Sequence, residues 1–535
     1  MASPSPKSPE QSEKNKQYDR QLRLWGDHGQ SALESGHICL INATALGTEI
    51  LKSIVLPGIG AITIVDDCTV SDEDIGSNFF LEMSSKGLNR GSEALRLVLE
   101  LNPAVQGHAV QEPPDQILDE NPDFFKSFSL VIATTISEKV TQSLSQHLWD
   151  INVPFILCQS VGFLGSLRIQ IREHAVTETH PDNEQTDLRL DEPFMSLLEH
   201  LESIDIDALD LKDHGHIPWI IILYKAVQKW KINNNNKWPV TRNDKEDIKN
   251  IIRDFIRKDE NGIPINEENF EEAIRAVNTA LMPTFLPKNI SKLMYNSAAT
   301  NLTKDSSSFW IMCSALRAFV EAEGKGKLPV KGILPDMTAS TEHYVKLQNI
   351  YKMQAANDAE IVYRKVRQIV TQLHCDSISE ADVKLFCRHA HDLYLVKGSC
   401  VATELQLGNS VASYIATYLE EPDVMMVHYI MLRAAGMFRS EHCRAPGDWE
   451  PEGDIAKLKT CVNKLLGDIS CSPFPKDDHI HEMCRYGGAE IHSVSAFLGG
   501  CVAHEAIKII TKQYKPVNNT FIYDGASTNT ATFEF

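Results

Sequence analysis

The amino-acid sequence predicts an α/β protein in which one doubly wound domain is interrupted by a large, mainly helical insertion. Three observations support this prediction. Strand and helix patterns alternate through residues 17–174, helical patterns dominate residues 175–480, and an α/β pattern returns in residues 481–535. The two α/β segments are therefore expected to form one domain, and a disordered tail is expected at residues 1–16.

The composition argues against several classes of protein. Residues 1–16 are polar and rich in Pro, Ser and Lys, which is typical of disorder, and they lack the apolar core of a secretion signal. No uninterrupted apolar run of about 18 residues indicates a membrane span. The net charge of −20 argues against nucleic-acid binding, because phosphates attract Lys and Arg patches. We expect a cytoplasmic protein that binds no nucleic acid and inserts into no membrane, with an additional nuclear location left open.

The first β-α-β unit is predicted at residues 37–66. HICLI (37–41) suits a buried parallel strand, and AITIVD (61–66) suits a second strand that ends in an acid. Apolar residues between them share one helical face, and Pro57-Gly58 ends that helix. This outline is typical of Rossmann-like units that bind nucleotides.

Most glycines of such a unit are missing. In a G-x-G-x-x-G loop, the first glycine permits the turn, the second admits a pyrophosphate, and the third packs the helix on the strand. Those positions hold Asn42, Thr44 and Gly47, so only the packing glycine remains. The unit is either a degenerate nucleotide site or one that never bound a nucleotide, and these residues leave both open. Asp66 stands where a ribose-binding acid of a nucleotide-dependent oxidoreductase would lie.

Further elements of the α/β domain follow this unit. LVIATT (130–135) and PFILCQS (154–160) are typical of buried strands, with a helix predicted from 137 to 149 between them. GSLRIQIREH (165–174) alternates as a strand does.

The α/β pattern resumes near the other end of the chain. HSVSAFLGGCVAHEAIKIIT (492–511) predicts a helix, and NNTFIYDG (518–525) predicts a strand of the same sheet. Gly499 and Gly500 lie inside this helix, where each costs about 1 kcal/mol relative to Ala. We therefore expect another backbone to approach closely at both glycines.

The insertion is predicted from apolar stripes at helical spacing. Such stripes occur in ENFEEAIRAVNTAL (268–281), in SFWIMCSALRAFVEAEG (308–324) and in residues 344–373. Ser377 and Glu380 are expected to form a capping box before another helix. Stripes of this kind are more typical of a core than of a cofactor site.

The cysteines and histidines do not predict a metal site. The 12 cysteines include no C-x-x-C pair, so we expect reduced thiols. Cys387, His389 and His391 lie in a helical pattern in which alternate residues do not face each other. The segment 479–484 lacks an obvious fourth ligand, and structural zinc sites normally show paired spacing.

Several stretches together resemble the ubiquitin-activating-enzyme family. YDRQLRLWGDHGQSAL (18–33), DDCTVSDEDIGSNFF (66–80) and the helix and strand at 492–525 carry this resemblance across both α/β segments. DEPFMSLLEHLESIDIDALDLKDHGHIPWIIIL (191–223) and LPVKGILPDM (328–337) in the insertion are similar to the regulatory, non-catalytic subunits of the heterodimeric enzymes that activate the neddylation modifier. The resemblance implies a ThiF/MoeB-like adenylation domain and an insertion shaped like a catalytic-cysteine domain.

The resemblance also implies a division of labour. An activating enzyme binds ATP and magnesium, adenylates the C-terminal carboxylate of its modifier, and captures the modifier as a thioester on a cysteine. Two homologous adenylation domains pair, and only one is active. This chain is then expected to be the inactive one, with no cofactor of its own. Its partners would be the catalytic, cysteine-bearing subunit, which holds ATP and magnesium, and the ubiquitin-like neddylation modifier, which is passed on to cullins.

Departures from the active pattern agree with this implication. The D-x-D motif that handles ribose and magnesium appears as Asp66-Asp67-Cys68, and a neutral thiol is a poor magnesium ligand. The N-x-N-R-Q nucleotide segment matches residues 74–78, where Ser77 replaces its arginine. An aspartate of the active domains is missing after the strand at 130–134. We predict that this chain alone does not bind ATP tightly, because a triphosphate needs compensating donors and cations.

The thioester cysteine of the family is missing as well. It lies in a P-x-C-T-like context that no cysteine of the insertion shows, and several of these cysteines fall on apolar stripes where a buried thiol is inert. The cysteines in other settings are Cys313, Cys375, Cys387, Cys400, Cys443, Cys461 and Cys471. The insertion is therefore expected to serve as a scaffold that helps to form a groove for the modifier.

Arg20 matches the N-terminal arginine that the family sends across the dimer to the partner's ATP. A cation supplied in trans stabilises phosphate charge during transfer, and a guanidinium fits phosphate oxygens better than an ammonium does. Without the resemblance, Arg20 would be an ordinary surface arginine. By the same resemblance, contacts with the catalytic subunit are expected at Gly58, Ile59, Asp66, Asp72, Ile75, Asp336, Met337, Tyr344, Leu347 and Asn349.

Three alternatives stay open at this point. The equivalent subunit of the SUMO-activating enzyme resembles a bare adenylation domain, and the long insertion argues against it. A degenerate nucleotide-dependent oxidoreductase could use Asp66, but the missing glycines argue against it. A pure adaptor with no part in the chemistry would differ from a regulatory subunit at Arg20.

Overall fold

The structure, a computed structural model, describes residues 14, 16–182, 186–420, 424–474 and 476–535. It divides into two compact units. The first unit comprises residues 1–176 and 395–535 and contains the main sheet, and the second comprises residues 177–394 and is mainly helical.

The strands, in chain order, are β1 (His37–Ile41), β2 (Ala61–Val65), β3 (Gln106–Val110), β4 (Leu130–Thr134), β5 (Phe155–Val161), β6 (Leu164–Gln170), β7 (His174–Val176), β8 (Tyr394–Val396), β9 (Thr520–Asp524) and β10 (Asn529–Phe533). All except β7 and β8 form one sheet in the order β10-β9-β6-β5-β4-β1-β2-β3. The parallel strands are β3, β2, β1, β4 and β5, in their order across the sheet. The sheet then continues with the antiparallel strands β6, β9 and β10. The two α/β segments therefore share one sheet, which confirms the predicted fold class.

The helices of the first unit before the insertion are α1 (Asp19–Glu34), α2 (Ala45–Val55), α3 (Asp72–Ser77), α4 (Arg90–Leu99), α5 (Pro114–Glu120) and α6 (Glu138–Asp150). The second unit contains α7 (Met195–Ser203), α8 (Leu211–His214), α9 (Trp219–Asn233), α10 (Arg242–Phe255), α11 (Glu268–Ala280), α12 (Lys288–Met294), α13 (Ser297–Thr300), α14 (Ser308–Glu321), α15 (Thr341–Leu373) and α16 (Glu380–Arg388). The first unit then continues with α17 (Val401–Leu405), α18 (Asn409–Glu420), α19 (Val424–His442), α20 (Pro451–Asp468), α21 (Asp478–Tyr486) and α22 (His492–Thr511).

The first β-α-β unit has the predicted elements. β1 and β2 are parallel neighbours, with Ile38 paired to Ile62. α2 joins them and buries its apolar face completely, including Leu46 and Ile50. Each such side chain stabilises the fold by about 1.5–3 kcal/mol relative to an exposed one, so the apolar spacing in the sequence accounts for this packing.

Helix α22 also matches its prediction, and it packs on α2 within the core of the first unit. By length and composition alone α22 could cross a membrane, and 56% of that stretch is buried inside the structure. A Cβ on Gly499 would lie 2.8 Å from the Cβ of Glu49, so the predicted close approach is confirmed there. A Cβ on Gly500 would meet nothing within 4 Å, so the same prediction is wrong for Gly500.

The predicted end of the insertion at residue 480 needs correction. Helices α17 to α21 belong to the first unit, because they share a core with its strands. Met426 and Phe438 of α19 lie in the same apolar cluster as Leu164 of β6 and Ile522 of β9. Helical periodicity is the same on both sides of residue 394, so the pattern alone could not place this boundary.

Two local predictions change as well. Residues 1–13 and 15 of the predicted tail lie outside the described residues, whereas Lys14 and Lys16 are helical. Helix α16 is capped by Ser379, whose hydroxyl accepts the Asp382 N–H at 3.0 Å. The capping box expected from Ser377 and Glu380 is therefore wrong by two residues.

The second unit has its own apolar core. The helices predicted at 268–281, 308–324 and 344–373 correspond to α11, α14 and α15. Tyr351 of α15 is fully buried, and its hydroxyl donates to the carbonyl oxygen of Leu188 at 2.6 Å. A buried phenol needs such a partner because an unpaired hydroxyl in a core is costly.

Candidate functional site

The degenerate glycine loop lies where β1 ends and α2 begins. Asn42 adopts φ 66°, a left-handed conformation that glycine normally supplies and that asparagine tolerates better than most residues. Its side-chain NH2 donates to the carbonyl oxygen of Thr134 at 3.1 Å, and its own carbonyl accepts the Thr134 hydroxyl at 2.7 Å. Asn42 therefore makes the turn and joins it to the end of β4.

Thr44 and Gly47 complete the loop. Thr44 caps α2, since its hydroxyl oxygen accepts the Gly47 N–H at 3.3 Å. A Cβ on Gly47 would lie 2.6 Å from the carbonyl oxygen of Asn42. This geometry agrees with the packing role inferred for Gly47 from the sequence.

Asp66, at the end of β2, is fully buried, and both of its carboxylate oxygens accept hydrogen bonds. Arg90 holds it with two nitrogens, Nε at 2.8 Å and Nη2 at 3.2 Å. The backbone N–H groups of Ala43 and Cys68 donate to the same carboxylate at 2.8 and 3.0 Å. A ribose-binding acid must offer free oxygens to hydroxyl groups, so this geometry argues against the oxidoreductase alternative.

The donor set beside Asp66 does not fit magnesium. Potential ligand atoms of Asp66, Asp67 and Cys68 lie within 4.8 Å of one another, and in the described parts of the chain only these residues make such a group of three. The Asp66 carboxylate, however, is bound by Arg90. Burial raises the pKa of the Cys68 thiol to about 11, so the thiol is neutral at pH 7, and magnesium prefers carboxylates and water.

The segment that matches the family's N-x-N-R-Q motif has a structural role here. The Ser77 hydroxyl donates to the carbonyl oxygen of Glu73 inside α3 at 2.9 Å. Asn78 is buried and accepts the Thr48 hydroxyl of α2 at 2.9 Å. Neither side chain supplies the cation that an arginine at position 77 would bring.

Glu490 enters the same loop from a distant part of the chain. Its Oε2 accepts the Leu46 N–H in the first turn of α2 at 2.7 Å, and its Oε1 accepts the Thr135 hydroxyl at 3.1 Å. Burial raises the pKa of the Glu490 carboxyl, while hydrogen bonds from Leu46, Thr44 and Thr135 oppose that rise.

Arg20 is exposed near the start of α1. Tyr18, two residues earlier, is buried, and its hydroxyl accepts Nδ2 of Asn102 at 2.9 Å. Arg23, one turn further along, is also exposed and pairs with Asp19 at 3.0 Å. The helix is therefore anchored beside Arg20, while Arg20 itself is exposed.

The expected partner contacts divide into buried and exposed residues. Gly58, Ile59, Asp66 and Leu347 are buried within this chain, which argues against contacts through the side chains of the last three. For all four residues the contact remains a prediction. The residues that are exposed or partly exposed are Asp72 and Ile75 in the first unit and Asp336, Met337, Tyr344 and Asn349 in the second. For these six residues the contact remains a prediction.

The cysteines singled out in the sequence occupy mostly apolar surroundings. Cys313, Cys387, Cys400 and Cys461 are buried. Burial raises the pKa of Cys387 to about 12 and of Cys461 to about 11, which leaves little thiolate for nucleophilic attack. Cys443 is exposed, and Cys375 and Cys471 are partly exposed.

Sequence reasoning missed two residues of this site. Arg90 is the N-terminal residue of α4, and an Asn89 cap before it was the only local sign of its position. Glu490 precedes α22 by two residues and shows no local sign of its partners. Both bind groups that are remote in the sequence.

Comparison with known proteins gives a consistent result. The chain matches the ThiF family over residues 18–535. A Xenopus laevis protein named NEDD8-activating enzyme E1 regulatory subunit is 48% identical over 525 residues, which are 97% of this chain and 98% of that protein. The Drosophila melanogaster protein of that name is 44% identical over 539 residues, 100% of both chains. The Arabidopsis thaliana protein named with the suffix AXR1 is 38% identical over 517 residues, 95% of this chain and 94% of that one.

Several similar solved structures match less than a third of the chain. One described as TcdA (CsdL) is 18% identical, covers 31% of this chain and 63% of that one, and has a TM-score of 0.26. So low a score supports no functional argument.

Proposed function

We infer the function from the family: this chain belongs to the ThiF family and, within it, to the regulatory subunits of the NEDD8-activating enzyme E1. Its role is regulatory within the enzyme that activates the neddylation modifier. The near full-length relatives carry that name, so the SUMO alternative has no support.

We propose that the chain pairs with a catalytic subunit that supplies both the ATP–magnesium site and the thioester cysteine, and that the pair binds the modifier for transfer to cullins. The engagement of Asp66 by Arg90 is the observation that best supports the absence of ATP from this chain. A bound triphosphate needs free donors, cations and a metal carboxylate. Here the Asp66 carboxylate and the Arg90 guanidinium neutralise each other.

The proposed contribution of this chain to the chemistry is Arg20, acting in trans on the partner's ATP. The buried anchor at Tyr18 supports this role, because it holds the start of α1 while Arg20 stays exposed. A guanidinium presents a rigid fork of donors that matches phosphate oxygens. The anchor fixes the backbone beside Arg20, so contact with a second molecule would have to order only the arginine side chain.

The test is ATP–pyrophosphate exchange by reconstituted heterodimers with Arg20→Ala. Arginine fingers contribute ~10³–10⁵ in rate to phosphoryl transfer, so we expect at least a ~10-fold loss of exchange with intact heterodimer assembly. Arg20→Lys should restore only part of the rate, because it keeps the charge and loses the fork. The chain without its partner should support no exchange.

Arg23→Ala is the matched control. It removes an exposed cation one turn away that is paired with Asp19, and exposed pairs contribute little to stability. We expect normal exchange from this variant. Near-normal exchange by Arg20→Ala, or equal losses at both arginines, would make the chain an adaptor with no part in the chemistry.

A further inference from the structure

The segment that joins α21 to α22 is pressed against the sheet. Gly162, between β5 and β6, donates its N–H to the carbonyl oxygen of Ala489 at 2.8 Å. Gly162 has φ 57°, and a Cβ there would lie 2.3 Å from the ring of Tyr486. Position 162 therefore requires a glycine. The hydrogen bond between Gly162 and Ala489 places residue 490 beside the ends of the parallel strands.

The carboxylate of Glu490 meets the helix terminus that phosphates occupy in intact nucleotide sites. The first turn of a helix leaves N–H groups unpaired, and its partial positive charge attracts anions. Glu490 accepts one of these N–H groups, that of Leu46, at 2.7 Å. Its other oxygen is satisfied by Thr135 at the end of β4.

Two arginines add positive charge around this carboxylate. Arg90, which also binds Asp66 and Asp74, attracts Glu490 electrostatically. Arg439 of α19 is attracted by Glu490 and by Asp448. Removal of the Glu490 charge would therefore leave the Leu46 N–H and the Thr135 hydroxyl without their acceptor and would take away an attraction that acts on both arginines.

We propose that Glu490 is a built-in anion that occupies the phosphate position of the degenerate site and fastens the 487–491 segment to the sheet. The chain thereby fills with its own side chain a cradle that a nucleotide fills in active relatives of the fold. The segment it fastens connects the helices of residues 401–486 to α22. This role goes beyond the subunit's part in neddylation, since it depends on no partner and no modifier.

The first test is thermal unfolding of the full-length Glu490→Ala variant with inorganic pyrophosphate as the probe. We expect the variant to melt a few degrees (about 2–4 °C) below wild type. Pyrophosphate at millimolar concentration should raise its melting temperature and leave that of wild type unchanged, because only the variant has a vacant cradle. Glu482→Ala, which removes a partly exposed acid paired with Arg485, should melt as wild type does and show no rescue.

A second variant tests the role of Glu490 if Glu490→Ala does not fold. Glu490→Gln keeps the size of the side chain and loses its charge, so pyrophosphate should not enter. The Leu46 amide should then exchange its hydrogen about 10-fold faster than in wild type, since a neutral acceptor holds it less strongly. Wild-type exchange at Leu46 in Glu490→Gln, or equal effects of pyrophosphate on wild type and Glu490→Ala, would overturn the proposal.

Discussion

Two adjacent glycines of α22 lie in opposite surroundings. Gly499 faces α2, where an added Cβ would lie 2.8 Å from Glu49 Cβ and 3.1 Å from the Glu49 carbonyl carbon. Gly500 is exposed, and an added Cβ would touch nothing within 4 Å. The sequence predicted the same role for both, because position on a helix surface cannot be told from a glycine pair alone.

Alanine at these two positions should therefore change the free energy of unfolding with opposite signs. Gly499→Ala should lower it by about 1–3 kcal/mol, because backbone and Cβ atoms of α2 would have to shift. Gly500→Ala should raise it by about 1 kcal/mol through helix propensity. Urea unfolding of the two variants beside wild type measures both changes, and changes of the same sign would contradict the packing described here.

The first turn of α20 shows how one element is held to its neighbours. Asp454 is fully buried there, and Arg444 Nη2 donates to it at 2.7 Å. The Gly447 N–H donates to its other oxygen at 2.9 Å, and Lys457 lies 3.2 Å away. The Arg444 hydrogen bond is the main cause that lowers the pKa of Asp454, and burial opposes it.

This lowered pKa predicts a dependence of stability on pH. A carboxyl whose pKa is lower in the folded state stabilises the fold above its unfolded value, which is about 3.9, and that stability is lost as pH falls through the folded value. Asp454→Asn should therefore be less stable at pH 7 and should lose less additional stability below about pH 4 than wild type does. Urea midpoints between pH 7 and pH 2 test this.

Asp468→Asn is the matched control, since Asp468 is exposed at the other end of the same helix. Its stability should follow the wild-type pH curve. An Asp454→Asn curve parallel to wild type throughout would show that Asp454 does not carry the acid sensitivity.

The elements could be predicted from the sequence wherever a local pattern dictates them. The apolar runs at β1, β2, β4 and β5 and the stripe of α22 specify their own burial. The loop at Asn42 and Thr44 was also located from the sequence, because it directly follows the apolar run of β1. Arg90 and Glu490 were not, because their partners lie in other parts of the chain and no periodicity records them.

At the scale of the whole molecule, the distribution of cysteines separates this chain from its proposed partner. Four of the seven cysteines considered for thioester chemistry are buried. The three with some exposure lack the family's nucleophile context. A thiol is nucleophilic only as its thiolate, which an apolar environment disfavours.

A complete activation reaction should therefore place the modifier on the partner chain only. We expect a non-reducing gel of the heterodimer with ATP and modifier to show one conjugate that reducing agent removes, at the mass of the partner plus modifier. Replacement of exposed Cys443 by Ser should leave its yield unchanged. An ATP-dependent, reducible conjugate at the mass of this chain plus modifier would contradict the assignment.

The shared sheet also governs how the chain can fold during synthesis. The apolar core around β1 and α2 includes Leu498 and Ile509 of α22, and the sheet is completed by β9 and β10. Ribosomes add about 5–20 residues per second, so the roughly 330 residues between β6 and Leu498 take on the order of 20–60 s to make. Throughout that interval the apolar surface that α22 later covers stays exposed on the nascent chain. We expect chaperones to bind there and release it only when α22 has left the ribosome.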